Sequence, residues 1–206
     1  MVWGALVASM TLVGGGLYVA NGGTVRGASS AGVRPMMATA VQSDSSGDLD
    51  AIFRIPRPLD AQRWQAIVIH DSGDTVGSPA SLDRQAKANG LKSLGYHFVV
   101  GNGAGLKDGW VFVSSRWQDQ QPGAHAAGKD ADWFNRQAIG VCLVGDGDRQ
   151  RFSAAQTRQT VQLVQTLCAR FNIPPERVYL HSQIAPTSSP GKHFPEARLR
   201  AALQRR

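Results

Sequence analysis

Ile139-Gly140-Val141-Cys142-Leu143-Val144 is an almost wholly apolar run of β type. A half-buried strand alternates apolar and polar residues, whereas a strand covered on both faces reads as a continuous apolar stretch. This run is therefore expected at the centre of a sheet with helices packed on it. Two further short runs, Ala66-Ile67-Val68-Ile69-His70 and Val178-Tyr179-Leu180-His181, each end in a histidine where the chain leaves the apolar core.

The segments between these runs carry their own signals. Ser78-Pro79 opens a helix that closes near Asn89-Gly90, with proline at an N-terminal position and glycine after the end. Gly95 to Val100 and Trp110 to Val113 read as strands, and the Gly-rich turn Gly101 to Gly105 between them suggests a hairpin. Ser153 caps a long amphipathic helix to about Phe171. Pro174-Pro175 turns the chain into the run ending at His181, and a last helix covers Pro195 to Leu203. The expected fold class is α/β: a single domain with a central mixed β-sheet flanked by helices.

Length and composition agree with one well-cored domain plus a tail. Hydrophobic residues make up 42% and charged residues 18% of the 206, the balance of an ordinary globular protein. The net charge of +7 suits an anionic partner such as nucleic acid, acidic lipid or an acidic wall polymer. It also suits plain solubility, because the basic residues are scattered. Only Arg198, Arg200, Arg205 and Arg206 concentrate them, and these read as a solvated helix face. No helix-turn-helix, zinc finger or basic aromatic strand pair appears, so nucleic acid is not the expected partner. Cys142 and Cys168 fall in apolar patterns and read as small buried hydrophobes rather than as a disulfide or a cysteine metal site.

The N-terminal part is organised differently. Val2 to Ala20 carries no charge and has Trp3 and Tyr18 near its ends, like interfacial anchors. Residues 1–20 are read as a membrane anchor or signal segment, with Ala38-Thr39-Ala40 as a distant small-x-small site. No Lys or Arg precedes the apolar run, whereas Arg26 and Arg34 follow it. Residues 21–50 are rich in Gly, Ser, Ala and Asp and are read as a flexible tether, leaving 51–206 as the folded domain. The expected location is periplasmic or in the cell envelope.

Imidazoles at strand ends, facing loops, are where α/β enzymes keep metal ligands and acid–base groups. The alternative for His70 and His181 is a pair of satisfied structural histidines. What lies between them favours the first reading. In order along the chain come Ile67-Val68-Ile69-His70, Gly95-Tyr96-His97-Phe98-Val99-Val100-Gly101-Asn102-Gly103 and Gly123-Ala124-His125-Ala126. Then follow Asn135, Ala138 to Gly145, and Pro190-Gly191-Lys192-His193-Phe194-Pro195. Together they resemble the zinc-dependent N-acetylmuramoyl-L-alanine amidases of the peptidoglycan-recognition-protein and phage-amidase type, across about residues 64–204.

The resemblance implies a zinc site in an open groove and hydrolysis of the amide between N-acetylmuramic acid and L-alanine by a zinc-activated water. Position by position, His70 and His181 match the family's zinc-binding histidines, and Tyr96 matches the tyrosine near the activated water. The third ligand, Cys or Asp in the family, falls at Ser189, and Thr187 stands where some members carry an oxyanion-binding lysine. Asn102, His125 and Asn135 are expected by resemblance to contact substrate. The implied cofactor is Zn2+, weakly held because a neutral serine hydroxyl is a poor zinc ligand. The implied partner is peptidoglycan or its muropeptides, met by a monomer with a possible membrane tether through residues 2–20. A second reading is a muropeptide-binding protein of the same fold that does not cleave, because Ser189 replaces the third ligand. His97 is expected to point away from Tyr96 and to be structural. His193, close after Ser189, is the alternative ligand, although Pro190-Gly191 would have to redirect the chain.

Overall fold

A computed structural model describes residues 40–41 and 49–205. By internal contacts the chain divides into two units, Met1–Met36 and Met37–Arg206. The apolar run Val2–Ala20 lies outside the described residues. Among the described residues no helix is long and apolar enough to cross a membrane.

The apolar runs form the sheet. β1 (Ala40–Val41), β2 (Ala66–Asp71), β3 (Phe98–Val100), β4 (Val111–Val113), β5 (Ala138–Leu143) and β6 (Val178–Leu180) lie in the order β1-β4-β3-β5-β2-β6. β5 pairs in parallel with β2 and β3, and β2 in parallel with β6, while β4 runs antiparallel to β3 and to β1. The sheet is thus mixed, and every residue of β5 is buried, as its sequence requires. β1 falls in the stretch read as tether, and its two residues pair with Phe112 and Val111.

Helices α1 (Pro79–Ala88), α2 (Ser115–Gln118), α3 (Ala131–Gln137), α4 (Ala154–Phe171) and α5 (Glu196–Gln204) complete the domain. α1 and α4 both start with a capping box: Ser78 accepts from Ser81 N–H, and Ser153 accepts from Gln156 N–H. Gly95 to His97, expected as strand, lies outside the ladder, and the chain bends at His97 before β3 begins. There His97 N–H donates to Gly140 O, and Gly95 O accepts from Ala124 N–H. α2 and α3 did not stand out in the sequence, since neither is long enough to show a helical period.

Strand alternation splits the side chains between two faces. Ile67, Ile69, Ile139, Val141 and Leu143 join Leu163, Leu167 and Leu199 of α4 and α5 in the main core. Cys168 is in this core, Cys142 is fully buried in a second apolar cluster, and neither forms a disulfide. The opposite face carries Ala66 and Val68 of β2 with Ala138 of β5, under Phe134, Tyr179 and Ile184. His70 continues the Ala66–Val68 row, at the carboxyl end of the parallel strands.

Candidate active site

The histidine one residue before the end of β2 meets the one that follows β6 because these strands are neighbours. The ring centroids of His70 and His181 are 4.3 Å apart, although 111 positions separate the residues in the chain. His181 opens a short 3-10 turn, His181–Gln183, in which the Gln183 side chain accepts from Leu180 N–H at 2.9 Å. Nε2 of His181 is buried and has no hydrogen-bond partner, an unmet demand that native proteins seldom leave without a reason.

Tyr96 also lies against His70, ring to ring at 5.1 Å, and packs on the cluster that contains Cys142. Beside it opens a pocket of about 210 Å3 lined by Ser72, Leu82, Gln85, Asn89, Leu94 and Tyr96. The pocket has room for a small side chain and no charged group on its wall.

Ser189 reaches the same corner without presenting an anion. Its Oγ accepts from Asp71 N–H at 3.1 Å, and its carbonyl accepts from Ser182 N–H at 2.8 Å. The loop is thereby pinned to the end of β2. Thr187 Oγ1 accepts from Ser189 N–H at 3.2 Å, so its own proton is left for another acceptor. Asp71 Oδ2 accepts from Gly147 N–H at 3.0 Å. Among the described residues no group of three His, Cys, Asp or Glu side chains is arranged to hold a metal. His193 joins no such group; its backbone N–H donates to Gly147 O.

The three residues expected to touch substrate are engaged elsewhere. His125 is a correction: only 7% exposed, it is part of the buried layer beneath the site. Its Nδ1 is 3.2 Å from Nε2 of His70, and its Nε2 is 3.2 Å from Ala138 O. Asn135 Oδ1 accepts from both His125 N–H (2.8 Å) and Ala126 N–H (2.9 Å), and its amide donates to Ala126 O. Asn102 donates to Thr75 O at 2.8 Å and accepts from Ala104 N–H at 2.9 Å. Both asparagine side chains are used to hold their loops. His97 is structural as expected: Gly140 N–H donates to its Nδ1, and its Nε2 lies 3.1 Å from Gln121 O.

Burial sets the charge state. It pushes His70 well below the ordinary imidazole range, helped by His125 and His181, and takes His125 down to about 4. His181 is also lowered by burial, against an opposing pull from Asp71. Near neutral pH the site therefore offers uncharged imidazoles, the form that binds metal. Tyr96 moves the other way: burial first, then Cys142 and Asp71, holds the phenol protonated well above its usual range.

Two neutral imidazoles thus meet at the carboxyl ends of the parallel strands of a mixed α/β sheet, beside an uncharged pocket. Residues 60–192 match the N-acetylmuramoyl-L-alanine amidase family over more than half of the chain, and the chain belongs to that family. It is 31% identical over 109 residues to the endolysin of Escherichia phage T7, covering 50% of this chain and 63% of that one. It is 29% identical over 134 residues to peptidoglycan recognition protein 1 of Bos taurus, covering 61% and 65%. The chain thus spans somewhat under two thirds of the length of these relatives. Among solved structures, the N-acetylmuramoyl-L-alanine amidase LysC from Clostridium intestinale superposes with a TM-score of 0.60 at 25% identity, covering 72% of this chain and 91% of that one.

Proposed function

We propose that the protein is a peptidoglycan amidase that hydrolyses the bond between the lactyl group of N-acetylmuramic acid and L-alanine of the stem peptide. The observation that carries this reading is the pair His70 and His181, neutral, 4.3 Å apart by ring centroid, with a buried nitrogen of His181 left unpartnered. These two imidazoles fit a zinc ion, with Ser189 Oγ as a neutral third donor at the position where the family has an anion. When bound, zinc would polarise the scissile carbonyl and acidify water.

The remaining work falls to the chain's own groups. Tyr96, held protonated, can donate a hydrogen bond to the carbonyl oxygen as it gains charge, and cannot act as a base near neutral pH. The free proton of Thr187 is a second donor available to that oxygen. The uncharged pocket beside Tyr96 suits a small apolar or amide portion of the stem peptide. Water adds to the carbonyl carbon and the C–N bond breaks, leaving a carboxylate on the sugar side and an amine on L-alanine.

The test is release of stem peptides from purified sacculi by the full chain, with zinc supplied and with zinc chelated. Release is expected only with zinc. His181→Ala should lose zinc and release together while circular dichroism stays unchanged. The second reading, a muropeptide binder that does not cleave, rests on the engagement of Ser189 Oγ by Asp71 N–H. Muropeptide binding by a zinc-supplied protein that releases nothing would establish it. Outside the described residues, the apolar segment and tether support a further part of the proposal: the domain acts in the cell envelope, exported or anchored.

A further inference from the structure

His125 is the buried polar group that the proposed reaction leaves without a task. Its ring covers Gly140 of β5, where a Cβ would come within 2.4 Å of its Cδ2 and 2.7 Å of its Cγ. A residue with any side chain at 140 would evict it. From the other side, Asn135 holds the backbone of His125 and Ala126 in register. Gly140 thus leaves room for the ring, and Asn135 holds the backbone that carries it.

The hydrogen-bond chain through that ring has only one consistent direction. Ala138 O is a carbonyl and can only accept, so Nε2 of His125 carries the proton. A ring buried here with no carboxylate against it is neutral and has one N–H, so its Nδ1 is an acceptor. The atom facing that acceptor is Nε2 of His70, at 3.2 Å, which must then donate. A neutral imidazole with its proton on Nε2 keeps its lone pair on Nδ1.

We infer that His125 is a positioning residue that locks His70 as the Nε2–H tautomer, leaving Nδ1 as the nitrogen that His70 offers to the site. The inference rests on the amidase reading for its purpose but not for its geometry. A backbone carbonyl, one imidazole and a second imidazole form a relay whose polarity is set by the carbonyl. Second partners of this kind orient a metal-binding imidazole and affect affinity by about 10- to 100-fold.

The experiment uses the full chain, labelled with 15N and free of metal. Long-range 1H–15N correlation of the histidine rings reports which nitrogen of each bears the proton. In the wild type His70 is expected as the Nε2–H tautomer with a slowly exchanging ring proton. His125→Leu should give His70 a mixture of tautomers and lower the affinity for zinc, titrated as the metal alone, by about 10-fold or more. His125→Asn places an amide oxygen close to the lost Nδ1 and should restore most of the Nε2–H population. A role confined to packing predicts the reverse order, with Leu at least as good as Asn. His70 found as Nδ1–H in the wild type, or unchanged in a folded His125→Leu protein, overturns the inference. The wild-type spectrum decides the matter even if both variants fail to fold. A locked tautomer in a protein that releases no stem peptide would sink the amidase reading and leave the positioning role standing.

Discussion

Ser189 Oγ accepts the backbone N–H of Asp71, the residue directly after His70, at 3.1 Å. The side chain at the position proposed for a third ligand thus ties its loop to the strand that carries His70. A hydroxyl keeps its proton near neutral pH, so two imidazoles and Ser189 leave the full charge of a divalent ion uncompensated.

Restoring an anionic donor should reverse this. Ser189→Cys or Ser189→Asp is expected to raise zinc affinity by roughly 10-fold or more, measured by calorimetric titration. Loss of the Asp71 hydrogen bond should lower stability by about 1 kcal/mol. Tight zinc binding by the wild type that neither substitution improves would mean that another residue completes the shell.

Removal of the Tyr96 hydroxyl separates its chemistry from its packing. Tyr96→Phe keeps the ring against His70 and loses the donor, so stem-peptide release should slow on the order of 100-fold. Zinc content, measured alongside, should not change. Equal turnover in the two proteins would remove Tyr96 from the reaction.

Stability should fall on acidification because of the buried histidines. His70, His97 and His125 all have folded-state values below that of an unfolded imidazole, each primarily through burial. The unfolded chain therefore binds more protons between about pH 6.5 and the lower folded values, so stability is full above that window and is lost as pH falls through it. Each histidine inside its window contributes a slope of about 1.4 kcal/mol per pH unit. Thermal unfolding of the metal-free protein should show a lower midpoint at pH 5 than at pH 7.5, and a smaller difference in a folded His125→Asn variant. An unchanged midpoint across that range would contradict the neutral, buried state of these rings.

Export is testable without any assay of hydrolysis. A reporter active only outside the inner membrane, fused after Arg206, should give signal from the full chain and lose it when residues 2–20 are removed. Strong signal from a reporter that works only in the cytoplasm would overturn the envelope location.

The parts of the fold whose physics is local were legible in the chain. The apolar run at β5 had to be central because it has no face fit for water, and Ser78 and Ser153 had to begin helices because their side chains meet orphaned backbone N–H groups. The Gly-rich turn after Val100 led into the β3–β4 hairpin for a similar reason. His70 and His181 could be chosen because each sits where an apolar strand run ends. α2 and α3 were not legible, being too short for a period. The role of His125 was not legible either. Nothing near it in sequence shows that Gly140 clears a seat for its ring, or that Ala138 O and His70 Nε2 lie on its two sides, 13 and 55 positions away. The same holds for Ser189, whose partner is 118 positions distant. Strand patterns and caps depend on neighbours in the chain and can be read from them, whereas the polarity of a buried hydrogen-bond relay depends on which groups the sheet order brings within 3.2 Å, and only the tertiary structure decides that.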